Sequence, residues 1–383
     1  MPGILDGVLV ADFSRVLAGP LATTMLADLG ATVIKVERPG VGDDTRHWGP
    51  PWTATTSSYF ESANRSKQSI TLDLAEPDDH AVALDLASRA DVLVENFKHG
   101  TLAAKGLGYE QVAEINPGLV YCPVTGFGST GGADLPGYDF LVQAVGGLMS
   151  ITGDAEGEPT KVGVALVDVL TSKDAYAAIL AALFERERSG RGQHVEVNLL
   201  SSLLGSLANQ ASAYLATGTS PGRQGNAHPS IAPYQTLRCA DGEFAVCCGN
   251  DRQFAALAQV VGEPTLAQDP RFVTNGARVE HRSELVAALE ERLAAATARE
   301  WSERLLPAGV PAGEVGDIGS AFALAESLGL EPRVPVGPDA ADQVRHPATY
   351  SRTPVTRYTR PPRLGEHDAA VRSLLKEENE AVV

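Results

Sequence analysis

The fold is decided by residues 7–37, whose sequence is GVLVADFSRVLAGPLATTMLADLGATVIKVE. The run at 7–12 is short and apolar, which is typical of a buried strand. A helix is predicted to start with Pro20 at the favoured first position and to stop at Gly30. Residues 32–37 predict a second strand. This strand–helix–strand order has the size of a βαβ unit, in which the two strands lie parallel.

The same alternation continues to about residue 217. Further strands are predicted at 69–74, 92–96 and 119–124, and helices at 77–90, 101–114, 171–188 and 199–217. Repeated strand–helix alternation predicts an α/β fold, in which a mostly parallel sheet is covered by helices.

A smaller α+β domain is predicted beyond residue 217. The stretch at 217–229 is rich in Gly, Pro and polar residues, which indicates a linker. A β-pair around Asp241-Gly242 is predicted next, with strands at 232–237 and 243–248, followed by helices at 251–261, 281–296 and 299–306. A short helix near 366–376 is predicted in the tail.

The composition excludes several classes of function. The chain has 383 residues, with 31 Lys+Arg and 48 Asp+Glu, so its formal net charge is −17. This acidity argues against a nucleic-acid partner and against binding to an anionic membrane. No apolar run approaches the roughly 20 residues that span a bilayer, and the first residues lack the features of a secretory signal. We therefore expect a soluble, cytoplasmic enzyme of two domains.

The cysteines and histidines show no pattern of metal ligands. Cys122, Cys239, Cys247 and Cys248 show no metal or redox spacing, which favours a reducing compartment. The 8 histidines include no H-x-x-x-H or H-E-x-x-H pair, so no metal ligands are predicted. The absence of a G-x-S-x-G motif disfavours a serine hydrolase.

A glycine-rich segment at 126–131, GFGSTG, matches the dinucleotide fingerprint G-x-G-x-x-G and follows a predicted strand. An oxidoreductase therefore has to be considered. Pyrophosphate binding also needs a helix that starts directly after the glycines. Gly132, Pro136 and Gly137 disfavour such a helix, so the segment is interpreted as a connection between elements.

A second candidate for anion binding lies at 14–20, where a strand end leads directly into a helix N-terminus. Free backbone N–H groups at such a position favour negative charge. Arg38, Arg46, Arg65 and Lys67 could supply positive charge there despite the acidic total. The alternative is that these four are solvated basic residues near a loop.

Asp168 interrupts an apolar run at 162–170, VGVALVDVL, and a helix is predicted from Thr171. A carboxylate in apolar surroundings is costly unless it is hydrogen-bonded. One interpretation makes Asp168 the N-cap of that helix. The other makes it a partly desolvated nucleophile, which can form covalent acyl intermediates. Because caps are far more common than nucleophiles, the residues alone favour the cap.

The turn at Gly249, Asn250 and Asp251 follows a predicted strand and precedes a predicted helix. It is interpreted as a strand-to-helix turn in which Asn250 or Asp251 caps the helix. The functional alternative is a flexible loop that closes over a bound intermediate.

Segments spread along nearly the whole chain together resemble the class III coenzyme A transferase (CaiB/BaiF) family, which includes formyl-CoA transferase, carnitine CoA-transferase and α-methylacyl-CoA racemase. They are DFSRVLAGP at 12–20, LGATVIKVERP at 29–39, NRSK at 64–67, VENF at 94–97, GYD at 137–139, GRGQ at 190–193, GNDRQF at 249–254 and PRLGEH at 362–367. Each segment alone is weak evidence for the resemblance, but the order and spacing of all eight make the match specific.

The resemblance implies a Rossmann-like large domain that binds CoA and is completed by the tail. On this basis 1–200 and 340–383 form the large domain, 225–325 the small α+β domain, and 201–224 and 326–339 the two linkers. It also implies a ring-shaped subunit and an interlocked homodimer.

The resemblance further implies a CoA-transferase that uses an acyl-CoA donor and a carboxylic acid acceptor, with CoA as substrate and no permanently bound cofactor. Asp168 falls on the family's catalytic aspartate, which reverses the preference for a cap. The implied chemistry passes through an aspartyl anhydride and an aspartyl-CoA thioester. The turn at Gly249, Asn250 and Asp251 matches the family's glycine-rich substrate loop.

Residues implied by the same resemblance to contact CoA are Val16, Leu17, Ala18, Arg38, Leu72, Leu74, Asn96, Phe97, Lys98 and Tyr138. Leu17 stands where formyl-CoA transferase has Gln, which argues against a formyl or oxalate preference. Tyr138 stands where racemases have the His that moves a proton, and a tyrosine hydroxyl is a poor substitute at neutral pH. An α-methylacyl-CoA racemase (epimerase) is therefore the first alternative, and a non-catalytic CoA-binding paralogue the second.

Overall fold

The computed structural model describes residues 2–338 and 340–380, which form two compact units. The larger unit comprises Met1–Leu148, Val162–Thr219 and Glu331–Val383. The smaller unit comprises Met149–Lys161 and Ser220–Leu330. Both units are therefore discontinuous in sequence.

The larger unit alternates strands and helices over most of its length. The elements of the chain up to residue 217 are β1 (Leu9–Asp12), α1 (Ala18–Asp28), β2 (Thr32–Glu37), α2 (Ser58–Ser62), β3 (Lys67–Thr71), α3 (Pro77–Arg89), β4 (Val92–Glu95), α4 (Tyr109–Ile115), β5 (Val120–Thr125), α5 (Asp139–Val145), α6 (Leu148–Ile151, of which 149–151 belong to the smaller unit), α7 (Leu166–Ser189), β6 (Gln193–His194), β7 (Val197–Asn198), α8 (Leu199–Ser206) and α9 (Ala208–Thr217).

The strands β1 to β7 form a seven-stranded parallel sheet in the order β3-β2-β1-β4-β5-β6, with β7 also paired to β5. In β1, Val10 pairs with Val33 of β2 on one side and with Val92 of β4 on the other. The strand order therefore reverses direction at β1, and ligands of doubly wound sheets bind at this switch point, beyond the carboxyl ends of the strands. The predicted α/β fold with a parallel sheet is confirmed.

Side chains of β1 alternate between two cores, one on each face of the sheet. Val10 belongs to a core with Leu26 of α1 and Ile179 of α7. Ala11 belongs to a second core with Leu86 of α3 and with the tail helix described below. Full burial of a Leu or Ile side chain contributes roughly 1.5–3 kcal/mol, so these two faces hold the helices in place.

The helix predicted at 101–114 is two shorter pieces. A 3₁₀ helix at Ala103–Lys105 ends at Gly106, whose φ of 71° is left-handed. Glycine adopts that conformation without steric cost, and it terminates a helix there. An α-helix, α4, starts only after Gly108.

Three other predicted helix boundaries are wrong. α1 begins at Ala18, two residues before Pro20, and a proline is tolerated there because N–H groups of a first turn have no helical partner. α7 begins at Leu166 rather than at Thr171. The helix predicted at 199–217 breaks into α8 and α9 at Ala208, whose φ is 44°.

The smaller unit packs helices on an antiparallel sheet. Its main elements are β8 (Tyr234–Cys239), β9 (Gly242–Cys247), α10 (Asp251–Val260), α11 (Asn275–Glu280), α12 (Arg282–Leu293), α13 (Ala298–Leu305), β10 (Ala312–Glu314) and α14 (Ile318–Ser327). The sheet order is β10-β9-β8. The predicted β-pair around Asp241-Gly242 is confirmed, and its core includes Phe244, Phe254 and Trp301.

The tail returns to the larger unit. Two short strands, β11 (Arg333–Val334) and β12 (Gln343–Val344), pair antiparallel, and the last helix is α15 (Asp368–Glu380). Asp368 accepts hydrogen bonds from the backbone N–H and hydroxyl of Thr71 at 2.6 and 2.8 Å. Val371 and Leu375 are buried in the core on the β3 face. Within the described ranges no helix is both long and apolar enough to cross a membrane.

Candidate active site

A cleft of about 310 Å³ lies in the larger unit at the carboxyl ends of β1, β4 and β5. Its walls come from the connections that follow these strands and from the start of α7. The lining residues are Arg15, Val16, Leu17, Ala18, Asp44, Trp48, Asn96, Phe97, Lys98, His99, Val124, Thr125, Gly126, Gly128, Gly132, Ala133, Asp134, Leu135, Pro136, Gly137, Tyr138, Asp168 and Leu199.

Asp168 and most of the residues implied to contact CoA share this cleft. Those that line it are Val16, Leu17, Ala18, Asn96, Phe97, Lys98 and Tyr138. The other three do not line it: Arg38 is an exposed side chain just after β2, Leu72 is a core residue, and Leu74 packs against the same core.

The turn between β1 and α1 is held in an unusual conformation. Val16 has a φ of 71°, which a β-branched residue rarely adopts. Its N–H donates to both carboxylate oxygens of Asp43 at 3.2 Å. The Asn96 amide clamps the preceding residue: its Oδ1 accepts from Arg15 N–H at 2.9 Å and its Nδ2 donates to the Arg15 carbonyl at 2.7 Å. Asp43 and Asn96 therefore fix the backbone that lines the cleft.

The first turn of α1 carries no side-chain cap, since Leu17 occupies the N-cap position. Uncapped N–H groups at a helix N-terminus attract anions. Residues 15–18 of the predicted strand-to-helix anion site line the cleft.

Arg46, Arg65 and Lys67 fit neither interpretation, since their charges are neither free to bind an anion at this turn nor solvated. Each is buried and bound to a carboxylate: Arg46 to Glu37 at 2.7 Å, Arg65 to Asp28 at 2.5 Å and Lys67 to Asp12 at 2.9 Å. A buried charge requires such a partner because desolvation is costly. Arg38 does remain exposed, 3.3 Å from Asp44.

Asp12, at the end of β1, organises these buried charges. Burial opposes its ionisation, but Lys67, Lys35 and hydrogen bonds from Ser14 and Thr23 outweigh that effect and lower its pKa to about 2. Lys35 also donates to the Ser14 carbonyl at 2.8 Å and pairs with Asp43 at 2.9 Å. The network therefore links the sheet to the Val16 turn.

The cations that line the cleft are exposed. Arg15 is 3.1 Å from Asp44, and Lys98 is 3.0 Å from Asp134. Exposed ion pairs contribute little, typically about 0–1 kcal/mol, so both cations can exchange their partners for an incoming anion. Sequence reasoning did not single out Arg15, although it lies inside the DFSRVLAGP segment.

Asp168 is the third residue of α7, in the first helical turn. The N-cap is Ala165, so the interpretation of Asp168 as an N-cap is wrong. Burial raises the pKa of Asp168 to about 7, and the nearby carboxylate of Asp139 contributes to that rise. Near neutral pH the group is therefore divided between its acid and its carboxylate.

Asp139 was missed as a functional candidate. One of its carboxylate oxygens accepts the Val167 N–H at 2.8 Å and the Asp168 N–H at 3.4 Å. It caps α7 from another element, which no local pattern around Asp168 can show. Its presence in the GYD segment at 137–139 was the available signal.

Two aromatic residues near Asp168 were also missed. Trp48 lines the cleft and meets Tyr59 edge to face, with ring centroids 5.4 Å apart. Burial, then the charges of Asp168 and Asp139, raise the pKa of Tyr59 to about 12. The phenol is therefore neutral and can donate a hydrogen bond in this region.

The glycine-rich segment at 126–131 is a connection, as interpreted. Turns and bends follow it, and the next helix starts only at Asp139. Gly126 and Gly137 approach so closely that a Cβ on either would overlap the other's Cα. The helix that a dinucleotide pyrophosphate needs is absent at this point of the described chain.

The turn at Gly249–Asp251 lies in the smaller unit. The Asn250 side chain caps α10 by accepting the Gln253 N–H at 3.0 Å, which confirms the capping interpretation. Asp251 pairs with the fully buried Arg278 at 2.7 Å. The four cysteines are free, and the described residues contain no group of three or more His, Cys, Asp or Glu placed to hold a metal ion.

Comparison with known proteins identifies the family. The family model described as CoA-transferase family III matches residues 5–368. The chain is 44% identical to the succinate–glutarate CoA-transferase of Agrobacterium fabrum, over 96% of this chain and 94% of that protein. It is also 44% identical to the acetyl-CoA:oxalate CoA-transferase of Acetobacter aceti, over 85% of this chain and 84% of that protein.

A solved structure agrees with these relatives. The crystal structure of a CaiB/BaiF family protein from Brucella suis matches with a TM-score of 0.88 and 44% identity, over 98% of this chain and 100% of that chain. The chain therefore belongs to CoA-transferase family III and is an enzyme that transfers CoA between acyl-CoA thioesters and carboxylic acids.

Proposed function

We propose that Asp168 is the nucleophile of this transfer. The observation that carries the proposal is its position: a half-buried carboxyl group in the first turn of α7 that lines the same cleft as the Val16 turn. A carboxylate attacks a thioester well only when it is partly desolvated and close to the bound substrate.

The transfer then proceeds through two covalent intermediates on the carboxyl group of Asp168. The Asp168 carboxylate attacks the donor's thioester carbon, the C–S bond breaks, and CoA leaves as thiolate from a mixed anhydride. The thiolate attacks the aspartyl carbon and releases the donor acid, which leaves an aspartyl-CoA thioester. The acceptor carboxylate attacks that thioester and again releases the thiolate. Attack of the thiolate on the acceptor's acyl carbon restores Asp168 and yields the new acyl-CoA.

The proposed CoA site consists of Arg38 and of those residues implied by the family resemblance that line the cleft. Val16, Leu17 and Ala18 offer backbone and apolar contacts at the α1 N-terminus, and Lys98 offers positive charge for phosphate. Arg38 is exposed at the end of β2, where it can reach a long ligand that extends out of the cleft. No permanently bound cofactor takes part in the proposed steps.

We propose that the acids exchanged are small dicarboxylates. The support is the set of relatives, since the protein from Agrobacterium fabrum is a succinate–glutarate CoA-transferase and the one from Acetobacter aceti acts on oxalate. Arg15 and His99 line the cleft and provide candidates for a second carboxylate. Leu17 argues against oxalate as the preferred acid.

We also propose that the enzyme is a cytoplasmic homodimer. In the smaller unit α14 buries none of its described side chains, and Ile318 and Leu324 are 79% and 60% exposed. Exposed apolar side chains in such a group mark a surface that another chain covers. Light scattering is expected to give twice the mass of one chain.

The test of the nucleophile uses Asp168→Asn with Asp174→Asn as the matched control, since Asp174 is an exposed acid on the same helix. With succinyl-CoA and glutarate, exchange followed by mass spectrometry should fall at least about a thousandfold in Asp168→Asn and stay unchanged in the control. CoA binding measured by calorimetry should be retained by both. If Asp168→Asn retained full exchange, Asp168 would not be the nucleophile. If the acyl-CoA took up deuterium at its α-carbon in deuterated water, the result would instead support a racemase.

A further inference from the structure

The helix that carries Asp168 has no cap of its own. Its N-cap residue, Ala165, has no side-chain hydrogen-bond acceptor. The acceptor comes from α5: one oxygen of Asp139 takes the N–H of Val167 at 2.8 Å and that of Asp168 at 3.4 Å. The backbone of Asp168 is therefore positioned directly by the carboxylate of Asp139.

Asp139 is itself fixed by a buried partner. Its second oxygen accepts from Nε2 of Gln143 at 2.7 Å, one turn later on α5. Gln143 is fully buried, and its Oε1 accepts the N–H of Val162 at 2.9 Å, in the segment that leads into α7. The two side chains thus hold both the approach to the helix and its first turn.

The start of α5 is tied to the sheet as well. Gly137 lies against Gly126, which directly follows β5, and no side chain fits between them. Tyr138, between Gly137 and Asp139, lines the cleft. The position of Asp139 is therefore set by the edge of the sheet where the cleft lies.

The charge of Asp139 has a second consequence. Two carboxylates close together repel each other while both are ionised. That repulsion disappears when Asp168 becomes a neutral anhydride or thioester, because its charge leaves with the departing group. A fixed charge at Asp139 therefore favours the acylated forms of Asp168 over the free carboxylate.

We propose that Asp139 is a positioning residue of the transfer reaction, which orients Asp168 through backbone N–H groups of α7 and whose negative charge favours the covalent intermediates over the free carboxylate. The inference rests on the proposed role of Asp168 as nucleophile. Gln143 supports it by holding Asp139.

The other titratable groups around α7 do not place a comparable negative charge next to Asp168. Tyr59 of α2 faces Asp168 and is a neutral phenol. Asp28 of α1 is paired with Arg65, and burial keeps Cys122 of β5 as a neutral thiol by raising its pKa to about 12. The other charged or titratable lining residues are Arg15, Asp44, Lys98, His99, Asp134 and Tyr138. Lys173 and Asp174 of α7 are exposed.

The test begins with the enzyme free of substrate. A water-soluble carbodiimide modifies protonated carboxyl groups, so the pH dependence of Asp168 modification, mapped by peptide mass spectrometry, reports its ionisation. Asp139→Asn keeps an oxygen for the Val167 N–H and loses the charge. In Asp139→Asn the midpoint of Asp168 modification is expected about half a pH unit or more below that of the wild-type enzyme. Asp174→Asn should leave the midpoint in place, and an unshifted midpoint in Asp139→Asn overturns the proposal.

A second measurement addresses the covalent intermediates. During turnover with succinyl-CoA and glutarate, acid-quenched Asp139→Asn is expected to hold several-fold less aspartyl-CoA adduct than wild type, with the KM for succinyl-CoA within about twofold. If Asp139→Asn does not fold, Asp139→Ser supplies an acceptor without charge and is measured in the same way. Equal adduct levels in the folded variant and the wild type contradict the proposal.

The two claims fail separately. If Asp168→Asn retains exchange, the proposed nucleophile is wrong, whatever the carbodiimide midpoint shows. If Asp168→Asn is inactive but the midpoint and the adduct level do not respond to Asp139→Asn, the nucleophile stands and the role of Asp139 is wrong.

Discussion

The acid–base state of Asp168 gives the first prediction at the scale of single residues. Burial and Asp139 raise its pKa to about 7, and only the carboxylate is nucleophilic. The value of kcat/KM is therefore expected to fall about tenfold for each pH unit below 7 and to level off above about 8. Measuring kcat/KM of the succinyl-CoA–glutarate exchange over a pH series shows this decrease, the acid limb of the pH profile.

The ionisation of a second buried carboxyl group has to be distinguished from that of Asp168 in the pH dependence of kcat/KM. Burial also raises the pKa of Glu95 to about 7, against the opposing hydrogen bond from Phe97 N–H, but Glu95 does not line the cleft. Glu95→Gln is the control and should keep the acid limb. A limb that vanishes in Glu95→Gln, or a profile flat from pH 5 to pH 8, contradicts the assignment to Asp168.

Asn96 gives a second prediction at this scale. Its amide makes two hydrogen bonds to the backbone of Arg15 and so holds the turn proposed to bind CoA. Asn96→Ala is expected to raise the KM for acyl-CoA about tenfold, with a smaller change in kcat. Asn116→Ala is the control, because Asn116 donates to Ala87 and Ala90 in the same unit without lining the cleft. A similar rise in KM for both variants would show that the turn is not specifically involved.

Single residues also show where sequence reasoning stops. Asp168 stands out as a charge within an apolar run, and this local signal was sufficient to single it out. Its role as a cap was misassigned because the true cap, Asp139, belongs to another element and is brought there by the fold. Trp48 and Tyr59 carry no local signal at all. Asp139, Trp48 and Tyr59 reach the site through contacts between segments that are distant in sequence, which a local pattern does not show.

At the scale of elements, the strand pattern was predicted well and the helix starts less so. Residues 32–37 form β2 with the predicted bounds, because apolar runs in parallel sheets are unambiguous when turns flank them. Helix starts depend on caps, and α7 lacks a local one. Arg46, Arg65 and Lys67 were misplaced for a related reason, since each is buried against a carboxylate from a segment distant in sequence or from a neighbouring strand, where a charge must pair.

The pairing of Lys67 is testable at this scale. Lys67→Met leaves Asp12 buried without its main counter-charge, and removing one partner of a buried pair costs about 3–5 kcal/mol. Urea unfolding of the larger unit should therefore shift to a lower midpoint. Lys173→Met removes an exposed lysine and should change the stability by less than about 0.5 kcal/mol. Equal midpoints for the two variants would show that the buried pair is not important for stability.

At the scale of the whole molecule, the chain folds into units that the sequence order does not show. Residues 149–161 belong to the smaller unit, where Gly225 N–H donates to the Gly153 carbonyl at 3.0 Å and Arg223 to the Gly157 carbonyl at 2.7 Å. These contacts join segments far apart in sequence, so no local pattern predicts them. The return of the tail to the larger unit came from the family resemblance alone.

The docking of the tail leads to a prediction with a matched pair of leucines. Leu375 is 3% exposed in the core on the β3 face, whereas its neighbour Leu374 is 47% exposed. Leu375→Ala is expected to destabilise the larger unit by about 2–5 kcal/mol because it leaves a cavity. Leu374→Ala should cost less than about 1 kcal/mol. Comparable losses in urea unfolding would mean that α15 does not complete this core.

The proposed mechanism requires a covalent intermediate on Asp168, which mass spectrometry of the quenched enzyme can detect. The enzyme is mixed with succinyl-CoA and glutarate, quenched in acid during turnover, and digested. We expect a CoA thioester on the peptide that carries residue 168 in the wild type and in Asp174→Asn, and no such adduct in Asp168→Asn. An adduct on a different residue, or continued turnover at saturating donor with no adduct, would contradict the proposed mechanism.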